Sequence, residues 1–167
     1  MSAAHEGVGV FLGELGRIVR AIDRCVVVDL GCGRGFYGMV IRQNFGNVKL
    51  IGVDIWPPYL EEARGRYDEL VRADIRDYVK QMGFVDVALM MDVIEHFEKE
   101  EGLRLLGELR RRAGHIFVST PLFPYPQGPL EGNPYEEHKS YWSREEMESL
   151  GFRTIYTGNV VGIYVWP

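Results

Sequence analysis

Apolar side chains at Phe11, Leu15, Ile18, Val19 and Ile22 recur every three or four positions, which predicts one amphipathic helix over Val10–Ile22. The pattern then changes period. CVVVDLG, residues 25–31, is an unbroken apolar, β-branched run ending in glycine, as expected of a strand covered on both faces of a parallel sheet. GMVIRQNFG (38–46) predicts a helix stopped by Gly46, and VKLIGVD (48–54) a second buried strand. PYLEEARGRYDEL (58–70) predicts a helix with proline in its first turn. LVRADI (70–75) and VDVALMMD (85–92) are the third and fourth strands. GLRLLGELRRRAG (102–114) predicts a helix with Leu103, Leu106 and Leu109 inward, and HIFVSTP (115–121) a fifth strand.

The segment 121–137 is rich in Pro, Tyr and Gly and has no periodicity. After it, SREEMESLGF opens a helix with a Ser143-x-x-Glu146 capping box, and FRTIYTG and GIYVW predict a closing hairpin. Strand and helix alternate from about 25 to 120. A doubly wound α/β sheet follows, mostly parallel, with helices on both faces and an antiparallel edge from the hairpin. With no repeat or linker, residues 1–167 read as one domain: an N-terminal helix region at 1–24, and a substrate loop at 121–137.

Ligands of such a sheet bind beyond the carboxyl ends of its strands. There the first strand runs into Asp29-Leu30-Gly31-Cys32-Gly33-Arg34-Gly35. A dinucleotide fingerprint needs a third glycine where this chain has Phe36, and no Gly-Lys-Ser/Thr follows to make a phosphate loop. A dehydrogenase is therefore a distant reading. Asp54 ends the second strand, where a carboxylate can accept both ribose hydroxyls, and Asp74 follows the third, within reach of an adenine amino group. One strand-end acid is often only a helix cap, and a glycine loop only a tight turn. Three such features on adjacent strand ends favour a nucleoside pocket.

Taken together, VVVDLGCGRG, GVDIW, RADIRD, VDVALMMDVIEH and FVSTP resemble the successive motifs of class I S-adenosylmethionine-dependent methyltransferases, over roughly residues 25 to 157. The resemblance implies a seven-stranded sheet in the order 3-2-1-4-5-7-6 with the last strand antiparallel. It implies that Asp29, Gly31, Cys32, Gly33 and Gly35 line the methionine part of the cofactor. Asp54 would hold the ribose, Ile55 and Trp56 pack on adenine, Asp74 and the Ile75 backbone bind its polar edge, and Met91 face the ammonium.

Methyl transfer to oxygen or nitrogen requires loss of a proton, and histidine is the natural base near neutral pH. Of four histidines, His5 is near the N-terminus and His115 opens the fifth strand, leaving His96 and His138 as candidates. Asp92, Glu95 and His96 stand at i, i+3 and i+4. The plain reading is a capping box, with Asp92 as N-cap of a helix and Glu95 reaching back. The other is a metal set. The chain is similar here to the 3′-terminal small-RNA 2′-O-methyltransferases, whose Glu-x-x-Glu-His and later His hold a metal. Glu95, His96 and His138 match that pattern and Asp92 departs from it by a shorter acid. Mg²⁺, Mn²⁺ or Zn²⁺ would suit such donors. The metal reading stands second to the cap. In the loop, Trp142 reads as a core anchor, and Phe123 and Tyr125 as substrate-facing.

Composition narrows the partners. Hydrophobic residues at 46% and charged at 26% are ordinary globular values. A net charge of -5 weighs against nucleic acid as an obligate partner. Two cysteines are too few for a disulfide scaffold. The start MSAAHEGVGVF shows no basic-then-apolar leader, and no apolar run approaches membrane length, so a cytoplasmic monomer or homodimer is expected. The leading function is a methyltransferase acting on a small-molecule acceptor. RNA 2′-O-methylation, or a non-catalytic cofactor-binding subunit that activates a partner, are the alternatives.

Overall fold

The computed structural model describes residues 6–167; His5 lies outside them. Seven strands form one sheet: β1 (Cys25–Leu30), β2 (Val48–Asp54), β3 (Glu69–Arg72), β4 (Val85–Met91), β5 (Ala113–Pro121), β6 (Arg153–Thr157) and β7 (Val161–Trp166). Their order is β3-β2-β1-β4-β5-β7-β6. The first five pair in parallel, and β7 runs antiparallel to both neighbours. This is the expected topology, and the closing hairpin supplies the one reversed strand.

Alternation explains the two layers. In β1, Val27 packs with Phe11, Leu15 and Val19 of α1 (Val8–Arg20) and Ile41 of α2 (Phe36–Asn44). Its neighbour Val28 faces the other way, among Val79 of α4 (Ile75–Gln81), Leu105, Leu106 and Leu109 of α5 (Lys99–Arg110) and Met147 of α6 (Arg144–Ser149). Successive strand side chains point to opposite faces, so a sheet covered twice needs apolar residues at most positions on both faces. Trp142, 1% exposed, packs against α5, where a Cβ on Gly102 would lie 2.5 Å from its ring. It is the core anchor expected.

Several boundaries differ from the sequence reading. α3 is only Pro57–Ala63, because Arg64 leaves helical geometry, Gly65 takes a φ of 77°, and Glu69 already begins β3. The expected third strand LVRADI ends early, at Arg72, and an additional helix, α4, follows it; Asp74 caps that helix by accepting the Arg76 amide at 2.8 Å. In α5, Leu103 is 42% exposed and Leu105 takes the inward position. The inward stripe is Gly102, Leu105, Leu106 and Leu109, spaced i, i+3, i+4 and i+7, which leaves Leu103 outside it; the helix starts earlier than expected, at Lys99. The Ser143–Glu146 capping box is present as expected.

Candidate functional site

The glycine loop is built on buried carboxylates. Asp54 is 8% exposed; its two oxygens accept the Gly33 amide at 2.9 Å and the Trp56 amide at 2.8 Å. Burial pushes its pKa up, with the two amides pulling the other way. Asp29 is 1% exposed and accepts the Tyr67 hydroxyl at 2.6 Å. Burial raises its carboxyl to about 7, against the pull of that hydrogen bond. Gly31, Gly33 and Gly35 all take positive φ, which lets the loop reverse sharply beyond β1.

These strand ends open onto a cavity of about 170 Å³, walled in part by Gly31, Gly33, Asp54, Ile55, Asp74 and Ile75. Six of the expected cofactor residues therefore meet there. Asp29, Cys32, Gly35, Trp56 and Met91 lie outside its lining. Asp29 is turned to Tyr67, Cys32 Sγ to the Gly33 carbonyl, and Met91 packs in the layer under α1. Asp74 is not a free acceptor: Arg76 binds it through Nε at 3.0 Å and Nη2 at 2.6 Å, and reaches Glu101 at 2.7 Å. Arg76 foremost holds the Asp74 carboxyl below its ordinary value.

At the far wall the helix expected from Asp92 does not form. Asp92 sits at φ 57°, and a short 3₁₀ turn, Ile94–His96, follows it. The capping box belongs to the next start, Glu98 with Glu101. Asp92 is instead tied to β5. Its amide donates to the Ser119 carbonyl and Oγ at 3.0 and 2.9 Å, and Ser119 Oγ donates back to its carboxylate at 2.8 Å. Left-handed backbone at a non-glycine residue is strained and is found where surroundings over-determine it, often at active sites. Burial raises the Asp92 carboxyl to about 6, and raises Glu95 well above its ordinary value with Asp92 as the next cause.

The loop after β5 returns here. Lys139 and Ser140 donate their amides to the Glu95 carbonyl at 2.8 and 3.1 Å, and this brings the His138 ring within 5.0 Å of the His96 ring. His96 Nδ1 lies 3.2 Å from the Glu137 carbonyl and His138 Nδ1 2.6 Å from the Tyr125 carbonyl. A carbonyl only accepts, so each Nδ1 is the donor in its contact. Burial lowers the His96 pKa. One donor atom each from Glu95, His96 and His138 lies within 4.8 Å of the others, and Glu95 Oε2 is buried without a partner. Those donors fit a small divalent cation; Asp92 is not one of the three.

The same loop covers the cavity, where Asn133, Tyr135 and Glu136 join the lining together with Tyr59 of α3. The sequence singles out none of Tyr59, Asn133 and Glu136, and marks Tyr135 only as one of the loop's aromatics. Asn133 is 2% exposed and Tyr135 lies 6.5 Å from the Trp56 ring, so the loop closes as a roof. An Asn-Pro-Tyr turn after a long aperiodic stretch was the available signal. Arg34 forms ion pairs with Glu62 and, from the roof, Glu131. Phe123 and Tyr125 are exposed and lie outside the cavity lining, and no residue of α1 lines the cavity.

Residues 27–113 match the family model described as a methyltransferase domain. The chain belongs to the methyltransferase-domain family. It is a class I methyltransferase of the S-adenosylmethionine-dependent kind, with the sheet order that this class has. Solved structures share the fold. A SAM-dependent methyltransferase from Archaeoglobus fulgidus is 24% identical over 87% of this chain and 69% of that one, with a TM-score of 0.61. The methyltransferase domain of bacterial CtHen1-CN is 23% identical over 93% and 96%, at 0.64. Magnesium protoporphyrin IX methyltransferase from Synechocystis PCC 6803, with bound SAH, is 18% identical over 96% and 80%, also at 0.64. None of the curated proteins compared matches this chain. No helix among the described residues is long and apolar enough to cross a membrane.

Proposed function

We propose that this methyltransferase acts on an oxygen or nitrogen of a small-molecule acceptor, with His96 or His138 taking the acceptor's proton. The observation that carries the reading is the pair of imidazoles, each with Nδ1 donating to a backbone carbonyl, beside the cavity that the glycine loop lines. S-adenosylmethionine, when bound, supplies an activated methyl that an acceptor lone pair attacks in line. Gly31 and Gly33 let the backbone approach it. Asp54 keeps lone pairs for ribose hydroxyls beyond the two amides it already accepts, since a carboxylate offers about four such positions. Ile55 packs on adenine and the Ile75 backbone meets its polar edge, while Asp74 reaches the amino group only by sharing its carboxylate with Arg76. The roof excludes water and holds the two reactants together, which is most of what this chemistry asks of a protein.

A second reading rests on a separate observation, the convergence of Glu95, His96 and His138 around an unpartnered buried carboxylate oxygen. These three would hold a divalent cation that orients an acceptor hydroxyl and lowers its pKa. RNA 2′-O-methylation goes with this reading, and the fold is shared with a structure of the small RNA methyltransferase HEN1, of which this chain covers 25%. The net charge of -5 favours the small-molecule acceptor.

The test is S-adenosylhomocysteine release across a panel of phenols, amines, sugars and a short RNA, with and without chelator. Turnover of a small acceptor in chelator supports the first reading. Turnover confined to RNA and abolished by chelation overturns it in favour of the second.

A further inference from the structure

Glu136 enters the cavity from its roof, on the 3₁₀ turn Pro134–Glu136. The turn is held from both sides. Asn133 Oδ1 accepts the Tyr135 amide at 3.0 Å, and Gln127 Nε2 donates to the Glu136 carbonyl at 2.8 Å. Tyr59 of α3 lines the same wall, and after burial the Glu136 charge raises its hydroxyl's pKa. It shares the cavity wall with Asp54 on one side and His96 on the other. Its field reaches both walls: after burial and the amide bonds it raises Asp54, and it raises Glu95 and His96 as well. No lysine or arginine among the described residues lies within ion-pair distance of it: of the two cations in the cavity lining, Arg76 is paired with two acids, and Lys139 forms no ion pair with Glu136. A carboxylate without a cationic partner thus faces the space between the ribose-side acid and the imidazoles.

We infer that Glu136 selects the positively charged methyl donor over its neutral product. The inference rests on the donor reading above. If the ribose sits on Asp54 and the acceptor beside His96, the donor's sulfur lies between them, opposite Glu136. In the transfer the sulfur–methyl bond breaks and its electron pair stays on sulfur. A carbon–oxygen or carbon–nitrogen bond forms from the acceptor's lone pair, and the acceptor's proton leaves to a base. The donor enters with a cationic sulfur and leaves as a neutral thioether. The amino-acid and nucleoside ends of the two molecules are the same, so a charge facing sulfur distinguishes them where most other contacts cannot. Glu136 thereby favours loading of the donor and release of the product.

The experiment is calorimetric titration of wild type, Glu136→Gln and Glu136→Ala with S-adenosylmethionine and with S-adenosylhomocysteine, in chelator at fixed ionic strength. Each substitution should weaken the donor about five- to tenfold, the scale of one charge contact at a partly solvated site, and leave the product within about twofold. In wild type alone, rising salt should weaken the donor more than the product, a comparison that needs no variant to fold. Equal weakening of both ligands, no change in either, or equal salt dependence overturns the inference. Wild type that binds neither ligand overturns the donor reading itself, and is told apart by that result.

Discussion

The Tyr67 hydroxyl donates to Asp29 Oδ2 across 2.6 Å and accepts the Gly38 amide at 3.1 Å. One ring thereby joins the end of β1 to the first turn of α2, directly behind the glycine loop. It also accounts for three glycines. A Cβ on Gly38 would lie 2.3 Å from the Tyr67 ring, and one on Gly52 or Gly35 would lie 3.0 or 3.1 Å from it. The loop is shaped from behind by an aromatic ring as much as by its own glycines.

Gly38→Ala should therefore destabilise the fold by about 1–3 kcal/mol, the usual cost of overpacking a filled site. The clash is with a half-buried ring pinned by two hydrogen bonds, which has little room to give. Urea denaturation measures this, and a variant as stable as wild type would show that Tyr67 shifts freely.

The pH dependence of stability carries a sign that can be checked. The Asp29 carboxyl is raised to about 7 in the folded protein from an ordinary 3.8. Between those values the folded state holds a proton that the unfolded chain has lost. Its contribution to stability is thus greatest in acid and falls as pH climbs through that window. Asp29→Asn keeps an acceptor for Tyr67 and removes the ionisation. It should be more stable than wild type at pH 8 by about 1–3 kcal/mol and close to it at pH 4, other titrations being common to both. Denaturation at the two pH values decides it; a gap that does not widen with pH would place the charge of Asp29 elsewhere in the account.

Asp54→Ala should weaken S-adenosylmethionine binding by about 1–3 kcal/mol, because ribose hydroxyls lose their charged acceptor and the Gly33 and Trp56 amides lose theirs. Asp54→Asn retains one neutral acceptor and should fall between. Titration calorimetry on samples with wild-type circular dichroism gives the answer, and unchanged affinity in the alanine variant would remove Asp54 from the pocket.

Turnover should decline as pH drops through about 6. Asp92, raised to about 6, takes up a proton there, while burial keeps His96 neutral to a lower pH than an exposed imidazole. Asp92→Asn should move or flatten this acid limb. His96→Ala and His138→Ala should each lower kcat at pH 7 by about 10²-fold or more if that residue is the base. Profiles of kcat/KM against pH, taken once an acceptor is found, test all three; full activity in both histidine variants would leave them as structural residues.

Much of this was legible in the chain itself. The mainly apolar runs at 25–30, 48–54 and 85–91 specify strands covered on both faces, because a sheet with helices on either side leaves few positions for a polar side chain, here chiefly at strand ends and edges. Gly31, Gly33, Asp54, Asp74 and Ile75 could be placed around one cavity because the strand ends they occupy are neighbours in any sheet wound this way. Local periodicity did not carry the rest. Asp92, Glu95 and His96 have helical spacing, yet Asp92 is bound to Ser119 on β5, twenty-seven residues away, and that contact outweighs the preference for a cap. Tyr67 is one aromatic in a short loop until the fold brings it beneath Gly35, Gly38 and Gly52. Asn133, Tyr135 and Glu136 lie in an aperiodic stretch, and what turns them into the cavity roof is the Glu95 carbonyl, which holds Lys139 and Ser140 at the loop's return. Contacts set by neighbours in the chain can be read from the chain; contacts between residues that only the closed sheet makes adjacent exist only once it has formed.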